Sequence, residues 1–232
     1  MTIDLPLRIE RHAELGSSQQ HMHAKLDAGE PVHGLVVQAD VQTQGHGRRG
    51  HVWQSSRGGS YQTLAVRDPQ PPSLQRSDTM PTLALGIAET FVIYGVSLKI
   101  KWPNDLFYQG RKLGGIIADY RREHLLIGVG VNVNNDVPDH ATKLAGWDVA
   151  GVNMVILEGL QKGLEHLLTP TFDLATAATA FDFLAGRHLE LDTPHGVLEG
   201  TARGFATDGG LRFETPDRTH VIHQGHVRTW LP

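Results

Sequence analysis

Residues Gly45-His46-Gly47-Arg48-Arg49-Gly50 fit G-x-G-x-x-G letter for letter, and what surrounds them constrains the fold more than any other stretch. The run Gly34 to Gln38 (GLVVQ) reads as a buried strand leading into the loop. In a dinucleotide-binding unit a helix must follow, with an acidic residue about twenty positions on. Here Gly50 is followed by HVWQSSRGGSYQTLAV, which is rich in Gly, Ser and β-formers and has no helical period. The one acid near the required distance, Asp68, falls at the Pro-rich break DPQPPS. A dinucleotide fold is therefore excluded. Two readings remain for the loop by itself. It is a solvated hairpin tip, or it is an anion cradle whose glycines admit a ligand close to the backbone while Arg48 and Arg49 add fixed charge.

The rest of the chain reads as an α/β domain over 1–185 followed by a small β-barrel over 187–232. Ser17-Ser18 suits a helix N-cap for the segment ending at Leu26, which Gly29 and Pro31 stop. Ser60 to Val66 reads as a strand, and Leu83, Ile87, Phe91 and Tyr94 recur at helical spacing over 79–95. Ser97 to Lys101 alternates, with Lys99 and Lys101 on one face. Ile116–Tyr120 and Leu125–Val133 form a hairpin about the turn RREH. Leucines at 157, 160, 164, 167 and 168 mark another helix, and 171–184 reads as one more. Beyond Arg187 the texture becomes short β pieces (HLELD, GVLEGTARGFA, GLRFET, THVIHQG) with a tight turn at Asp208-Gly209.

Composition narrows the function. With 232 residues there is room for one large domain or a medium one plus a small one. A net charge of −4 gives no general attraction to nucleic acid. Without cysteine there is no thiolate chemistry and no disulfide, which fits a cytoplasmic setting. Neither a secretory signal nor a membrane-length apolar run is present, so no membrane association is expected. His21-x-His23 lacks a further metal ligand at sequence spacing, and the fourteen histidines read as scattered surface groups.

Three later stretches bear on the loop. Lys101-Trp102-Pro103-Asn104-Asp105 gathers polar groups at a strand end where Pro103 stops pairing. Lys112-Leu113-Gly114-Gly115-Ile116 sets a lysine beside glycines that clear room. Gly128-Val129-Gly130-Val131-Asn132-Val133-Asn134 is a strand with space at its glycines, and Asn132 and Asn134 share a face at period two.

Together, GHGRRGHVWQS, KWPNDL, KLGGI and GVGVNVN, followed by Ala141-Thr142-Lys143-Leu144, resemble in type and order the motifs of the biotin protein ligases. GFATDGGLRFE resembles that family's C-terminal strand pair. The resemblance implies an α+β fold: a class II synthetase-like catalytic domain of mixed sheet and flanking helices, with an SH3-like barrel behind it. It implies an enzyme that forms biotinyl-5′-AMP from biotin and ATP with Mg²⁺ and passes biotin to a lysine of a carboxylase carrier domain. Only about sixteen residues precede the first motif, so the short type without a DNA-binding domain is expected. An exposed sheet edge would allow a homodimer.

By the same likeness Lys112 and Arg48 are catalytic. Ser17, Ser18, Gln42 and Gly45 belong to the biotin end, as do His46, Trp53 and Gly115. Arg49, Lys101, Asn104, Asp105 and Asn132 join Arg48 at the nucleotide, with Asp105 the Mg²⁺ candidate. The chain departs from the family pattern mainly at the acid end. Ser17-Ser18-Gln19 replaces S-T-N, and histidines 46 and 51 stand where arginines are usual. Gly58 to Leu64 also differs from the family strand. These departures keep open a different small carboxylic acid as substrate, or a non-catalytic nucleotide-binding relative. In that family the C-terminal unit closes over the nucleotide, and Arg203, Arg212 or Arg228 could reach it, with no choice among them from sequence.

Overall fold

The computed structural model describes residues 5–231. Its larger part is a seven-stranded mixed sheet in the order β1-β2-β3-β7-β6-β5-β4. The strands are β1 (Arg8–His12), β2 (Leu35–Ala39), β3 (Ser60–Arg67), β4 (Lys99–Lys101), β5 (Asp105–Tyr108), β6 (Arg111–Arg121) and β7 (His124–Val131). Only β1 and β2 pair in parallel; the other pairs are antiparallel.

Strand alternation sorts the side chains between two faces. Val36, Leu64, Val66, Leu125, Ile127 and Val129 point to one face and join the main core. There α2 (Thr79–Ile93) and α3 (Val149–Leu168) cover the sheet. These helices touch backbone to backbone. A methyl on Gly86 would sit 2.4 Å from both the Gly159 carbonyl oxygen and the Gly163 nitrogen. The opposite face sends Leu35, Val37, Ala65 and Leu126 against Met22 and Leu26 of the shorter α1 (Ser18–Asp27). Ser17 caps α1, its hydroxyl accepting from the Gln20 amide at 3.4 Å.

The C-terminal unit is a five-stranded antiparallel sheet in the order β11-β10-β9-β8-β12. Its strands are β8 (His188–Thr193), β9 (Gly196–Phe205), β10 (Leu211–Glu214), β11 (Thr219–Ile222) and β12 (His226–Leu231). Leu189, Leu191, Phe205, Leu211, Phe213 and Val227 merge with the main core, so one apolar body runs through both sheets. The turn at Gly209 has φ 82° and presses on the backbone of Asp78. The Trp102 indole donates to the Gly209 carbonyl at 3.0 Å.

Several expectations change. The segment 171–184 is not a helix: only α4 (Leu174–Ala177) forms, a single turn. Beyond it the backbone runs beside the edge strand β4, exchanging bonds between Ile100 and Phe181 (2.7 Å) and between Phe183 and Ile100 (2.9 Å). Pairing an exposed edge outweighs local helix propensity there. Strands β1, β5 and β12 form where none was expected. β1 is a charged edge strand whose apolar alternation is weak. Leu83, Ile87 and Phe91 of α2 are fully buried as expected, whereas Tyr94 is the exposed C-cap. Helix α3 begins eight residues before Leu157, with the Asp148 carboxylate accepting from the Gly151 amide at 2.8 Å. The expected hairpin forms, turning at Arg122 and Glu123, both at positive φ (47° and 59°).

Candidate active site

Three glycines make the floor of a cleft. Gly115 on β6 and Gly130 on β7 pair in register, and Gly128 lies opposite Ile117 two places along. All three fall on the α1 face of the sheet, where the absence of side chains opens space that Trp53 and Gln19 partly enter. A methyl on Gly130 would lie 2.5 Å from the Trp53 Nε1, and one on Gly128 would lie 2.7 Å from the Gln19 Oε1. The main cleft is about 270 Å³. A second cleft of about 320 Å³ adjoins it, and the two share Val52, Trp53 and Lys112.

At one end of the main cleft is a hydrogen-bonded polar network. Ser18 donates its amide to the Gln42 Oε1 at 2.8 Å, and its hydroxyl meets that of Thr63 at 2.9 Å. Gln42 donates to the Ser55 hydroxyl at 2.9 Å. Gln19, although longer than asparagine, is fully engaged: it accepts from Thr63 and donates to Asp119 and to the Leu126 carbonyl. Ser17, Ser18 and Gln19 are all buried.

The glycine loop crosses the mouth as a narrow excursion. Trp53 donates its amide to the Gly45 carbonyl at 2.9 Å, His46 bridges Val52, and Arg48–Gly50 form a single 3₁₀ turn. Only Gly50 of the three loop glycines needs its freedom of φ, at 75°. Gly45 does not line the cleft; it lets the loop close, since a methyl there would meet the Ser55 hydroxyl at 2.5 Å. His46 lines the cleft, and its Nδ1 is buried without a hydrogen-bond partner, as is the Trp53 Nε1.

At the other end, cations gather around one acid. The Lys112 ammonium lies 2.6 Å from the Asp105 Oδ1 and 5.5 Å from the Trp53 ring centre. Arg48 donates to the Asn104 Oδ1 at 3.1 Å, while Asn104 donates to the Ile116 carbonyl at 2.7 Å, which fixes its amide. Burial and neighbouring Arg49 push the Arg48 guanidinium below its ordinary pKa, with Asp105 opposing. Lys101 shares its strand face with Lys99, but the two differ in burial: Lys99 is exposed and Lys101 is not. It is buried, its ammonium 4.5 Å from the Trp230 ring centre, and desolvation lowers its pKa against the pull of Asp105. Four cations facing one carboxylate make this end of the cleft electropositive, ready for an anion.

Asn132 lies outside the main cleft and lines the second. Its amide donates to the Thr142 carbonyl at 3.1 Å and accepts from Asn135 at 3.0 Å, leaving one N–H uncommitted. Asn132 and Asn134 do not share a strand face, because β7 ends at Val131. Asn134 is exposed and binds Trp147 and Gly146 instead.

Sequence reasoning missed Thr63 and, from the C-terminal unit, further residues that line the cleft. Gly225, His226 and Val227 line the main cleft, and the His226 ring stacks at 6.3 Å on that of His51. Partial desolvation of the largely exposed ring, with Lys101, Arg49 and His51 nearby, holds His226 below the usual histidine pKa against the pull of Asp105. Arg203, Arg212 and Arg228 do not line the cleft; Arg203 pairs with Glu214, and Arg228 pairs with Glu190 and Asp192. A histidine among fourteen carries no local signal, so only the packing of the two sheets reveals this one.

Comparison with known proteins agrees with this geometry. The biotin/lipoate A/B protein ligase family matches residues 13–157. The bifunctional ligase/repressor BirA of Bacillus subtilis is 32% identical over 93% of this chain and 72% of its own length. The biotin–[acetyl-CoA-carboxylase] ligase of Mycobacterium tuberculosis is 28% identical over 93% of this chain and 86% of its own. Among solved structures, the Aquifex aeolicus biotin protein ligase in complex with biotin and ATP superposes with a TM-score of 0.83 at 24% identity. It covers 95% of this chain and 98% of that one. The fold is accordingly the α+β ligase architecture, a mixed sheet with flanking helices and a C-terminal SH3-like unit. By family match, sequence identity and fold, the chain belongs to the biotin/lipoate A/B protein ligase family.

Proposed function

We propose that this chain is an ATP-dependent biotin protein ligase that makes biotinyl-5′-AMP and transfers biotin to a lysine of a carboxylase carrier domain. The observation that carries the reading is the meeting of Lys112, Arg48, Arg49 and Lys101 around Asp105 in a glycine-floored cleft. Adenylation brings a carboxylate against a triphosphate, and neither approach is favourable until the charges are screened.

In this reading the Ser18–Gln42–Thr63 end holds the biotin head and the carboxylate lies toward Lys112. Its oxygen attacks the α-phosphorus, the bond from that phosphorus to the bridging oxygen breaks, and pyrophosphate leaves. Lys112 and Arg48 neutralise the charge that builds in this step. Asp105 orients the Lys112 ammonium. It is also the only carboxylate lining the main cleft among the described residues, so it is the group that would hold Mg²⁺ beside the phosphates. When bound, the metal supplies further neutralising charge. The adenine occupies the second cleft beside Trp53 and Asn132. In the second half-reaction the acceptor amine attacks the acyl carbonyl, AMP departs and the amine gives up a proton. One relative acts on acetyl-CoA carboxylase by name and another binds biotin with ATP, which supports a carboxylase carrier as acceptor.

The test is adenylation by the purified protein with α-labelled ATP, Mg²⁺ and biotin, scored by labelled acyl-adenylate and pyrophosphate. Biotin-dependent product supports the proposal, and its absence removes it. A second reading keeps the chemistry and changes the acid. His46, with its unpartnered Nδ1, stands where the family carries an arginine, so the same assay with other short acids discriminates it.

A further inference from the structure

Away from the cleft, three side chains from two elements converge on one point. Glu10 and His12 sit two places apart on β1 and so share a face, and His21 reaches them from the first turns of α1. The His12 Nε2 lies 2.7 Å from the Glu10 Oε1, and the His21 Nε2 lies 3.0 Å from that same oxygen. The three donor atoms all lie within 4.8 Å of one another. His21 thus finds its partners on another element, not in His23, which turns away to Asp119 at 3.1 Å.

We infer that Glu10, His12 and His21 form a binding site for a borderline divalent transition-metal ion of the zinc class. Two imidazole nitrogens and one carboxylate oxygen are a donor set this class favours over calcium or magnesium, and three protein ligands leave a fourth tetrahedral position for water. Closing on an ion requires small movements, because the ligand atoms already lie near the separations of a tetrahedral shell. Both rings must present the Nε2 lone pair, so each imidazole carries its proton on Nδ1 in the bound form.

Two features suit the site to exchangeable metal. The ligands are neither sealed nor fully open, with side-chain exposures of 27% for His12 and 31% for His21 and Glu10, so an ion can enter. The second Glu10 oxygen accepts from the Lys25 ammonium at 3.1 Å, while Lys25 is also held by Glu30 at 3.0 Å. A carboxylate whose outer oxygen is hydrogen-bonded is the usual support for a metal ligand. A cation in that position tempers affinity, which points to a site that loads and unloads. The site is separate from the cleft, none of whose lining residues it uses, and it does not rest on the ligase reading. It would fasten the edge strand β1 to α1, the helix that presents Ser17 to Gln19 to the cleft.

The test is Zn²⁺ binding to the full-length, metal-stripped protein in competition with a chromophoric chelator. Because fourteen histidines offer incidental sites, the variants carry the decision. Wild type should bind one Zn²⁺ more tightly than the rest, and His12→Ala and His21→Ala should each weaken that site by about 100-fold or more, at or beyond the loss from removing a supporting partner. His23→Ala should leave it unchanged. Should either variant unfold, wild-type protein still answers: the His12 and His21 ring signals should move together on adding one equivalent of Zn²⁺. Equal affinity in wild type and the His12→Ala/His21→Ala double variant, or no movement of those signals, overturns the site.

Discussion

The two faces of the seven-stranded sheet are built from the same strands and do opposite things. On one, Leu64, Ile127 and Val129 meet α2 and α3, which close so tightly that glycines 86, 159 and 163 touch backbone. On the other, Gly115, Gly128 and Gly130 leave the sheet bare, and the shorter α1 covers only part of it. Glycine serves both faces for different reasons. Between the helices it permits contact, which yields dispersion and burial. On the strands it withholds contact, which yields room for a ligand at the cost of local stability. A single period-two alternation thus assigns stability to one set of residues and chemistry to the next.

That contrast can be broken by substitution, beginning with the largest effect. Lys112→Ala on the open face should lower the rate of biotinyl-adenylate formation by about 1,000-fold, the upper end for loss of one preorganised donor to a developing charge. Its Tm should stay near that of wild type, because the side chain is about one-third exposed. Unchanged turnover would remove Lys112 from the chemistry. Gly86→Val on the sealed face should show the reverse: about 3 kcal/mol less stability from overpacking, read by urea denaturation, with KM for the ligands preserved. A loss of ligand binding in protein still folded would mean that the faces are coupled.

Gly130→Ala probes the boundary, because its methyl collides with the Trp53 indole and not with core. It should lower kcat/KM about 10-fold, within the range for a displaced positioning group, and cost about 1 kcal/mol of stability. The smallest effect belongs to His226. Its pKa is held down in the free protein, so an anionic ligand favours the protonated ring, and binding takes up a proton. Affinity should therefore rise as pH falls toward the histidine range. Calorimetry in buffers of different ionisation enthalpy should detect that proton in wild type and miss it in His226→Ala.

Much of the open face was legible in the sequence because its parts are local. Lys112 and Asp105 are seven residues apart on adjoining strands β5 and β6, and each lies in a compact motif. Gly128 and Gly130 alternate with Val129 and so declare a bare face directly. What stayed hidden depends on distant partners. Lys101 is buried with Trp230 and Phe107 beside its ammonium, and residues 181–183 are drawn out of a helix by bonds to the open edge of β4. The charged β1 gives little periodic signal and is a strand because β2 pairs with it. His226 enters the cleft through the docking of one sheet on the other.

The cover that Trp230 places over Lys101 has a consequence for how the molecule is divided. Removing the last strand would let water reach that ammonium, even with every residue of the larger domain intact. A carboxy-terminal truncation of this protein is, in physical terms, a change of solvent at the cationic end of the cleft. The module that looks separable by chain order is one wall of the main cleft.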